Sequence, residues 1–256
     1  VAGAKAVYKP ARSKFVLYTP EIADGGTTYY VSITALDGSS HDTAIFVPGR
    51  FHTTPGVDAI LYFHGHNDSY PDIRSYVNRP NTRALRPALA ADGRFALIMP
   101  WLGNRSNASH IVASDAAFDL YMTAAINQIF SNASVNPDFV GPPQFLESLV
   151  LSAHSGGGRA LSAAISLGSS FIDKTVSVWA FDCFYSNDNR KWIGWANANP
   201  EKTMSIYYTD LGDPQKGTMT NSLAIGRGAK SVQVARSKVE HDKIPMTYVP
   251  ELLTKL

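Results

Sequence analysis

The sequence predicts an α/β chain, with a mainly parallel central sheet, helices on both faces, and a β-rich N-terminal part. Three observations carry that expectation. Continuous apolar runs at 59–63, 95–99 and 149–151 have the length of strands covered on both faces. Stretches of helical periodicity separate them, and such βαβα alternation is the pattern of a parallel sheet with helical crossovers. Before Pro55-Gly56 the texture differs, with short β-rich runs broken by turn residues.

In chain order, β-rich runs at 15–18, 29–35 and 44–47 are divided by Asp24-Gly25-Gly26 and Asp37-Gly38. The run 59–63 opens the alternating part. A helix is expected over 82–91 and a buried strand over 95–99. Residues 116–130 are amphipathic, with Phe118, Tyr121, Met122, Ala125, Ile126 and Ile129 on one helical face. Strand 149–151 leads into a helix over 159–167. Strands follow at 176–181 and 205–208, with helices near 191–198 and 219–225. The last strand is expected at 232–235, and Pro245 marks the start of a closing helix that runs toward Leu256. No repeat, low-complexity tract or linker divides residues 1–256, so one domain is expected.

Composition excludes several function classes. With 45% apolar residues in 256, the chain can bury a core without disulfides or metal staples. No run of 18 apolar residues is present, which excludes a membrane-spanning helix of the usual length. The net charge of +2 is spread along the chain and forms no basic stripe, so no nucleic-acid partner is expected. The one cysteine, Cys183, can form neither an internal disulfide nor a Cys-based zinc site. Val1 opens the chain without Met, which fits a processed product, and the wealth of Asn, Ser, Thr and Tyr leans toward an extracytoplasmic protein.

The segment that carries chemistry is Leu149-Val-Leu-Ser-Ala-His-Ser-Gly-Gly-Gly-Arg-Ala-Leu161. A buried strand runs into a tight turn with Ser155 at its apex, and a helix leaves at once. The pattern is G-x-S-x-G with Ala153 in the first position. A serine in a strained turn needs small neighbours two residues away, so that strand and helix can pass, and Ala153 and Gly157 meet that need. The start of the helix leaves backbone N–H groups unpaired, and Gly156 N–H can hold a developing oxyanion. A glycine-rich turn could instead cradle a phosphate, but the Lys-Ser/Thr of a P-loop is missing.

From about Asp58 to its end the chain resembles the α/β-hydrolase superfamily, in the variant with a His-Ser-Gly elbow. The resemblance implies a serine esterase with Ser155 as nucleophile and no cofactor. It implies that Tyr62-Phe-His-Gly-His66 is the oxyanion loop, with the His66 backbone N–H as second donor beside Gly156. It also implies the chain order Ser, then Asp or Glu, then His. His241, in Val239-Glu-His-Asp-Lys-Ile-Pro245, is the one histidine after Ser155 and follows the last strand. The acid is Asp182, at the end of an apolar strand, or Asp213 after the next. Asp182 is preferred because Phe181-Asp-Cys-Phe-Tyr185 resembles an aspartate-plus-aromatic segment of some bacterial hydrolases. An Asp at the end of an apolar strand also needs a partner. Asp210 and Asp213 lie in Asp210-Leu-Gly-Asp-Pro214, a good turn sequence.

A metal reading competes. His64-Gly-His66-Asn-Asp68 resembles the H-x-H-x-D motif of metallo-β-lactamase-like hydrolases, and His110 or His154 with Asp182 and His241 could complete zinc sites. Against it, Ser69 stands where that motif places a further His. The segment 159–167 also reads as helix where that fold needs β-structure, and the Ser155 turn would serve nothing. Under the serine reading, His64 orients the oxyanion loop and Asp68 lines the pocket. Trp101, Tyr185 and Trp192 are the expected substrate-binding walls, with His66, Asp68 and Asn104 as polar groups. The expected partner is a small-molecule ester in a fairly open site. A peptidase or amidase would use the same triad.

Overall fold

The continuous apolar runs form the middle of one sheet. A computed structural model describes residues 19–51, 56–67, 69–130, 145–211 and 216–256. Its strands are β1 (Glu21–Ala23), β2 (Gly26–Thr34), β3 (Ser40–Pro48), β4 (Val57–Phe63), β5 (Phe95–Pro100), β6 (Leu146–His154), β7 (Thr175–Phe181), β8 (Thr203–Tyr208) and β9 (Val232–Arg236). They lie in the order β1-β2-β3-β5-β4-β6-β7-β8-β9. The first three pair antiparallel, β3 meets β5 antiparallel, and every pair from β5 to β9 is parallel. A two-residue turn joins β1 to β2, with Asp24 at φ +56° and Gly25 at φ +81°, as an Asp-Gly hairpin requires. The run 15–18 lies outside the described residues.

The helices are α1 (Ile73–Val77), α2 (Pro80–Arg83), α3 (Leu85–Asp92), α4 (Ser109–Val112), α5 (Asp115–Phe130), α6 (Gly158–Ala164), α7 (Ser170–Asp173), α8 (Asn189–Ala198), α9 (Lys216–Gly228) and α10 (Ile244–Leu253). Strand alternation divides the core between them. Ala59, Leu61 and Phe63 of β4 pack in one cluster with Phe118 and Met122 of α5, Leu161 of α6 and Ile225 of α9. Ile60 and Tyr62 point the other way, into a cluster with Tyr76 of α1, Leu89 of α3 and Leu252 of α10. Helices therefore cover both faces, as expected.

Two helices differ from the sequence expectation. The stretch 82–91 is split between α2 and α3, because Pro87 offers no N–H to the Arg83 carbonyl and its ring crowds that oxygen. The helix expected over 159–167 closes at Ala164, where Ser166 and Leu167 bond three residues back and tighten the last turn.

Register sets the position of the site. Phe63 pairs with Ala153, His154 with Phe181, Phe181 with Tyr207, and Tyr208 with Arg236. The carboxyl ends of β4, β6, β7, β8 and β9 thus reach one edge together, and the loops carrying Gly65-His66, Ser155, Asp182 and His241 leave from it.

Candidate active site

Ser155 follows β6 directly and takes φ +53°. Asp182 follows β7 at φ +46°. Among the described residues only Asp24 and Ser106 share this left-handed region without being glycine. Such a conformation costs a non-glycine residue about 1–2 kcal/mol, so surrounding packing must hold it. The glycines after Ser155 show how. A β-carbon at Gly157 would overlap the Phe63 carbonyl oxygen, and one at Gly158 the Cys183 carbonyl oxygen. A β-carbon at Gly65 would lie 2.6 Å from Ser155 Cβ. The turn is wedged between the ends of β4 and β7, and only backbone fits there. The need for Gly157 was readable from the sequence; that for Gly158 was not. Gly158→Ala must displace backbone, an overpacking cost of roughly 2 kcal/mol, and is expected to lower Tm by about 5 °C or more. A thermal melt superimposable on the unmutated protein would show that the turn yields freely.

His241 opens a 3-10 turn, His241–Lys243, at the head of α10. Its Nδ1–H donates to Asp182 Oδ2 at 2.7 Å. The Asp182 side chain is fully buried, a costly position for a carboxylate without partners. It has two: Thr218 on α9 donates its hydroxyl to Oδ1 at 2.6 Å, so both oxygens are engaged. The Asp182 backbone N–H is fixed on the Tyr207 carbonyl at 2.6 Å. Thr218 had no signal in the sequence, since a threonine in a helix is unremarkable until the fold brings it to Asp182.

His154 is buried, and burial with the neighbouring His241 holds its pKa well below the ordinary imidazole value. It is therefore neutral, and its Nε2–H donates to the His241 carbonyl at 3.1 Å, tying the end of β6 to the histidine loop. Ser155 Oγ has no hydrogen-bond partner among the described residues, and Ser155 and His241 both leave the same edge of the sheet without a closed bond between them. Bonds of this kind are commonly long without substrate and tighten in its complex.

The loop after β4, expected from the sequence to be the oxyanion loop, is held from behind. His64 is fully buried; its Nδ1–H donates to Gly65 O at 2.7 Å and its Nε2 accepts Leu102 N–H at 2.9 Å. Burial pushes its pKa down to about 4, so it stays neutral. Both ring nitrogens are occupied, which removes the first ligand from the His64-x-His66-x-Asp68 metal reading. His110 stacks on His41 instead, with ring centroids 3.5 Å apart. Asp68 and Asp213 lie outside the described residues. Among those described, one group of three metal-capable side chains converges: His154, His241 and Asp242, with ligand atoms within 4.8 Å. Of these, His154 Nε2 is committed to a carbonyl and His241 Nδ1 to Asp182.

A cleft of about 680 Å³ opens beside Ser155, lined in part by His66, Gly156 and Tyr185. The His66 ring lies against Gly156, where a β-carbon would overlap it. Tyr185 stands exposed in the wall. The other two expected walls do not. Trp192 is 0% exposed and packs edge-on against Phe184, because α8 turns Trp192 and Ala196 inward as its apolar pair. Trp101 stacks on His64 at 5.1 Å and lines a separate cavity with His41 and His110. Asn104 serves through its backbone, accepting Asn67 N–H at 2.9 Å. Asp210 pairs with Arg236 on the surface.

The buried histidines make stability depend on pH. In the unfolded chain His64 takes up a proton near pH 6.5, whereas in the fold it resists until about pH 4. The unfolded state therefore binds more protons in that window, and stability is full above pH 6.5 and lost as pH falls toward 4. His64 alone accounts for about 3 kcal/mol across the window, and His154 acts in the same direction. Tm measured from pH 7.5 to about pH 4.5 is expected to fall steadily. A flat profile would show that these rings accept protons in the fold.

No protein-family model and no curated protein matches the sequence. Solved structures do. A ferulic acid esterase superposes with a TM-score of 0.62 at 11% identity, over 90% of this chain and 99% of its own. A variant of the rice cell wall degrading esterase LipA from Xanthomonas oryzae gives 0.60 at 11%, over 96% and 99%. The esterase Pf2001 of Pyrococcus furiosus gives 0.54 at 12%, over 98% and 96%. The chain has the α/β-hydrolase fold. In an α/β-hydrolase the nucleophile, acid and base come in the order Ser, Asp or Glu, His, and Ser155, Asp182 and His241 stand in that order. No helix among the described residues is long and apolar enough to cross a membrane.

Proposed function

We propose that this α/β-hydrolase cleaves carboxylic esters through an acyl-enzyme on Ser155. The observation that carries the reading is the 2.7 Å bond from His241 Nδ1 to the buried Asp182, on the same sheet edge as a serine in a strained turn. His241 Nε2 takes the Ser155 hydroxyl proton as Oγ attacks the ester carbonyl. Asp182 fixes the imidazole tautomer and stabilises the imidazolium that forms. The backbone N–H groups of Gly156 and His66 receive the oxyanion, each contributing roughly 3 kcal/mol. Collapse expels the alcohol, which takes the proton from His241. Water then attacks the acyl carbon with His241 as base, and Ser155 is restored.

A fluorophosphonate probe tests this directly. The expected result is one adduct, mapped by peptide mass spectrometry to Ser155 and lost in His241→Ala. A folded protein that takes up no probe, or takes it up elsewhere, would overturn the assignment.

A further inference from the structure

The cleft beside Ser155 carries an excess of positive charge. Arg105, from the loop after β5, Arg159, from the first turn of α6, and Lys191 on α8 all line it. The lining contains one carboxylate, Asp188, which accepts hydrogen bonds from Ser186 at 2.8 Å and Ser162 at 3.2 Å. Lys191 lies along the wall with its ammonium donating to the Ser162 carbonyl oxygen. Arg105 and Arg159 are exposed and have neither an ion pair nor a hydrogen bond among the described residues. Four other arginines are paired, Arg83 with Asp24, Arg86 with Glu21, Arg94 with Asp92 and Arg236 with Asp210. A chain of net charge +2 thus places three cations against one anion in the cleft that holds its reactive serine.

Two free guanidinium groups lining one cleft are a poor surface for an uncharged ester and a good one for an oxyanion. Arginine binds carboxylates through paired, parallel N–H bonds, and a cleft lined by one sign of charge concentrates ligands of the other. We infer that the preferred substrates are esters carrying a carboxylate, which Arg105 and Arg159 hold while Ser155 attacks the ester carbonyl. The inference rests on the esterase reading above and narrows it to a substrate class. The alternative occupant of the cleft is a neutral ester of the same shape.

The test is a charge-matched pair of substrates. 4-Nitrophenyl hydrogen glutarate and 4-nitrophenyl methyl glutarate differ only in a free or methylated distal carboxylate, on the acyl side. 4-Acetoxybenzoate and its methyl ester place the same difference on the alcohol side. The expected result is a kcat/KM at least about 10-fold higher for the anionic member of one pair, shrinking as salt rises from about 20 mM to about 500 mM. In Arg105→Gln/Arg159→Gln the ratio within that pair is expected to fall to about 3-fold or less, while Arg105→Lys/Arg159→Lys retains most of it. Equal rates within both pairs, or a preference untouched by Arg→Gln, would overturn the inference and leave the esterase reading standing. If no ester is turned over and Ser155 takes no probe, the esterase reading fails. Calorimetric titration with glutarate then decides the anion site alone: binding lost in the Gln variant upholds it, and absence of binding to the unmutated protein removes it.

Discussion

Ser155→Ala is expected to lower kcat for an activated aryl ester by about 10⁵- to 10⁶-fold, with KM changed little. The size follows from the role. Removing the nucleophile abolishes the covalent route and leaves only whatever the oxyanion donors and binding supply, about 10³- to 10⁴-fold over water in comparable sites. Alanine keeps the β-carbon that packs against Gly65, so the turn has no reason to move. The left-handed φ remains, and its cost is carried by the same packing at Gly157 and Gly158. Circular dichroism and a melt close to those of the unmutated protein, beside a near-silent esterase assay, is the expected pair of results. Residual activity above about a hundredth would move the nucleophile elsewhere in the cleft.

The reasons this site could be read from the sequence are local ones. A strand buried on both faces, such as 59–63 or 149–151, announces itself by an unbroken apolar run. The turn after Leu151 announces itself because strand, serine and helix meet within a few residues, where only small side chains fit. Candidates for the proposed acid and base were legible as short lists, because strand ends are legible and the chain has one histidine after Ser155. What stayed hidden was what only the assembled fold creates. Trp192 is an aromatic residue near a loop in the sequence, and its helical phase against Phe184 decides that it is core. Trp101 sits at the correct sheet edge, yet it turns onto His64 and faces another cavity. Thr218 and the backward bond of His154 depend on contacts between segments dozens of residues apart. Short helices such as α1, capped by Asp72 accepting Ser75 N–H at 2.8 Å, have too few turns to display a period. His64-x-His66-x-Asp68 misleads for a related reason: ligand spacing can be read in a sequence, but the occupation of both His64 nitrogens cannot.

The sharpest test of the proposed triad is its acid. Asp182→Asn is expected to lower kcat by about 10⁴-fold, whereas Asp210→Asn should leave it within about 2-fold. The difference is one of partners. Asp182 accepts from His241 Nδ1–H and from Thr218, both of which are donors. An amide in its place has one acceptor oxygen and one donor nitrogen, so it cannot accept from both. If its oxygen turns to Thr218, its nitrogen faces the imidazole and the tautomer is inverted, leaving Nε2 protonated and unable to take the Ser155 proton. If its oxygen turns to His241, the NH₂ meets the Thr218 hydroxyl, which can rotate to accept. The second arrangement keeps the tautomer and loses only the charge that stabilises the imidazolium. Thr218→Val separates the two, because it removes the hydroxyl that competes for the oxygen. Alone it is expected to cost about 10-fold, by leaving one carboxylate oxygen buried without a donor. In the Asp182→Asn background it is expected to restore part of the loss, since the amide oxygen is then free to meet His241. A double variant no more active than Asp182→Asn would show that the loss comes from the missing charge and not from the tautomer. Asp210, by contrast, is half-exposed and paired with Arg236, in solvent where such a pair contributes little. An Asp182→Asn enzyme with more than a tenth of full activity would mean that another carboxylate, Asp213 first among them, holds His241 during turnover.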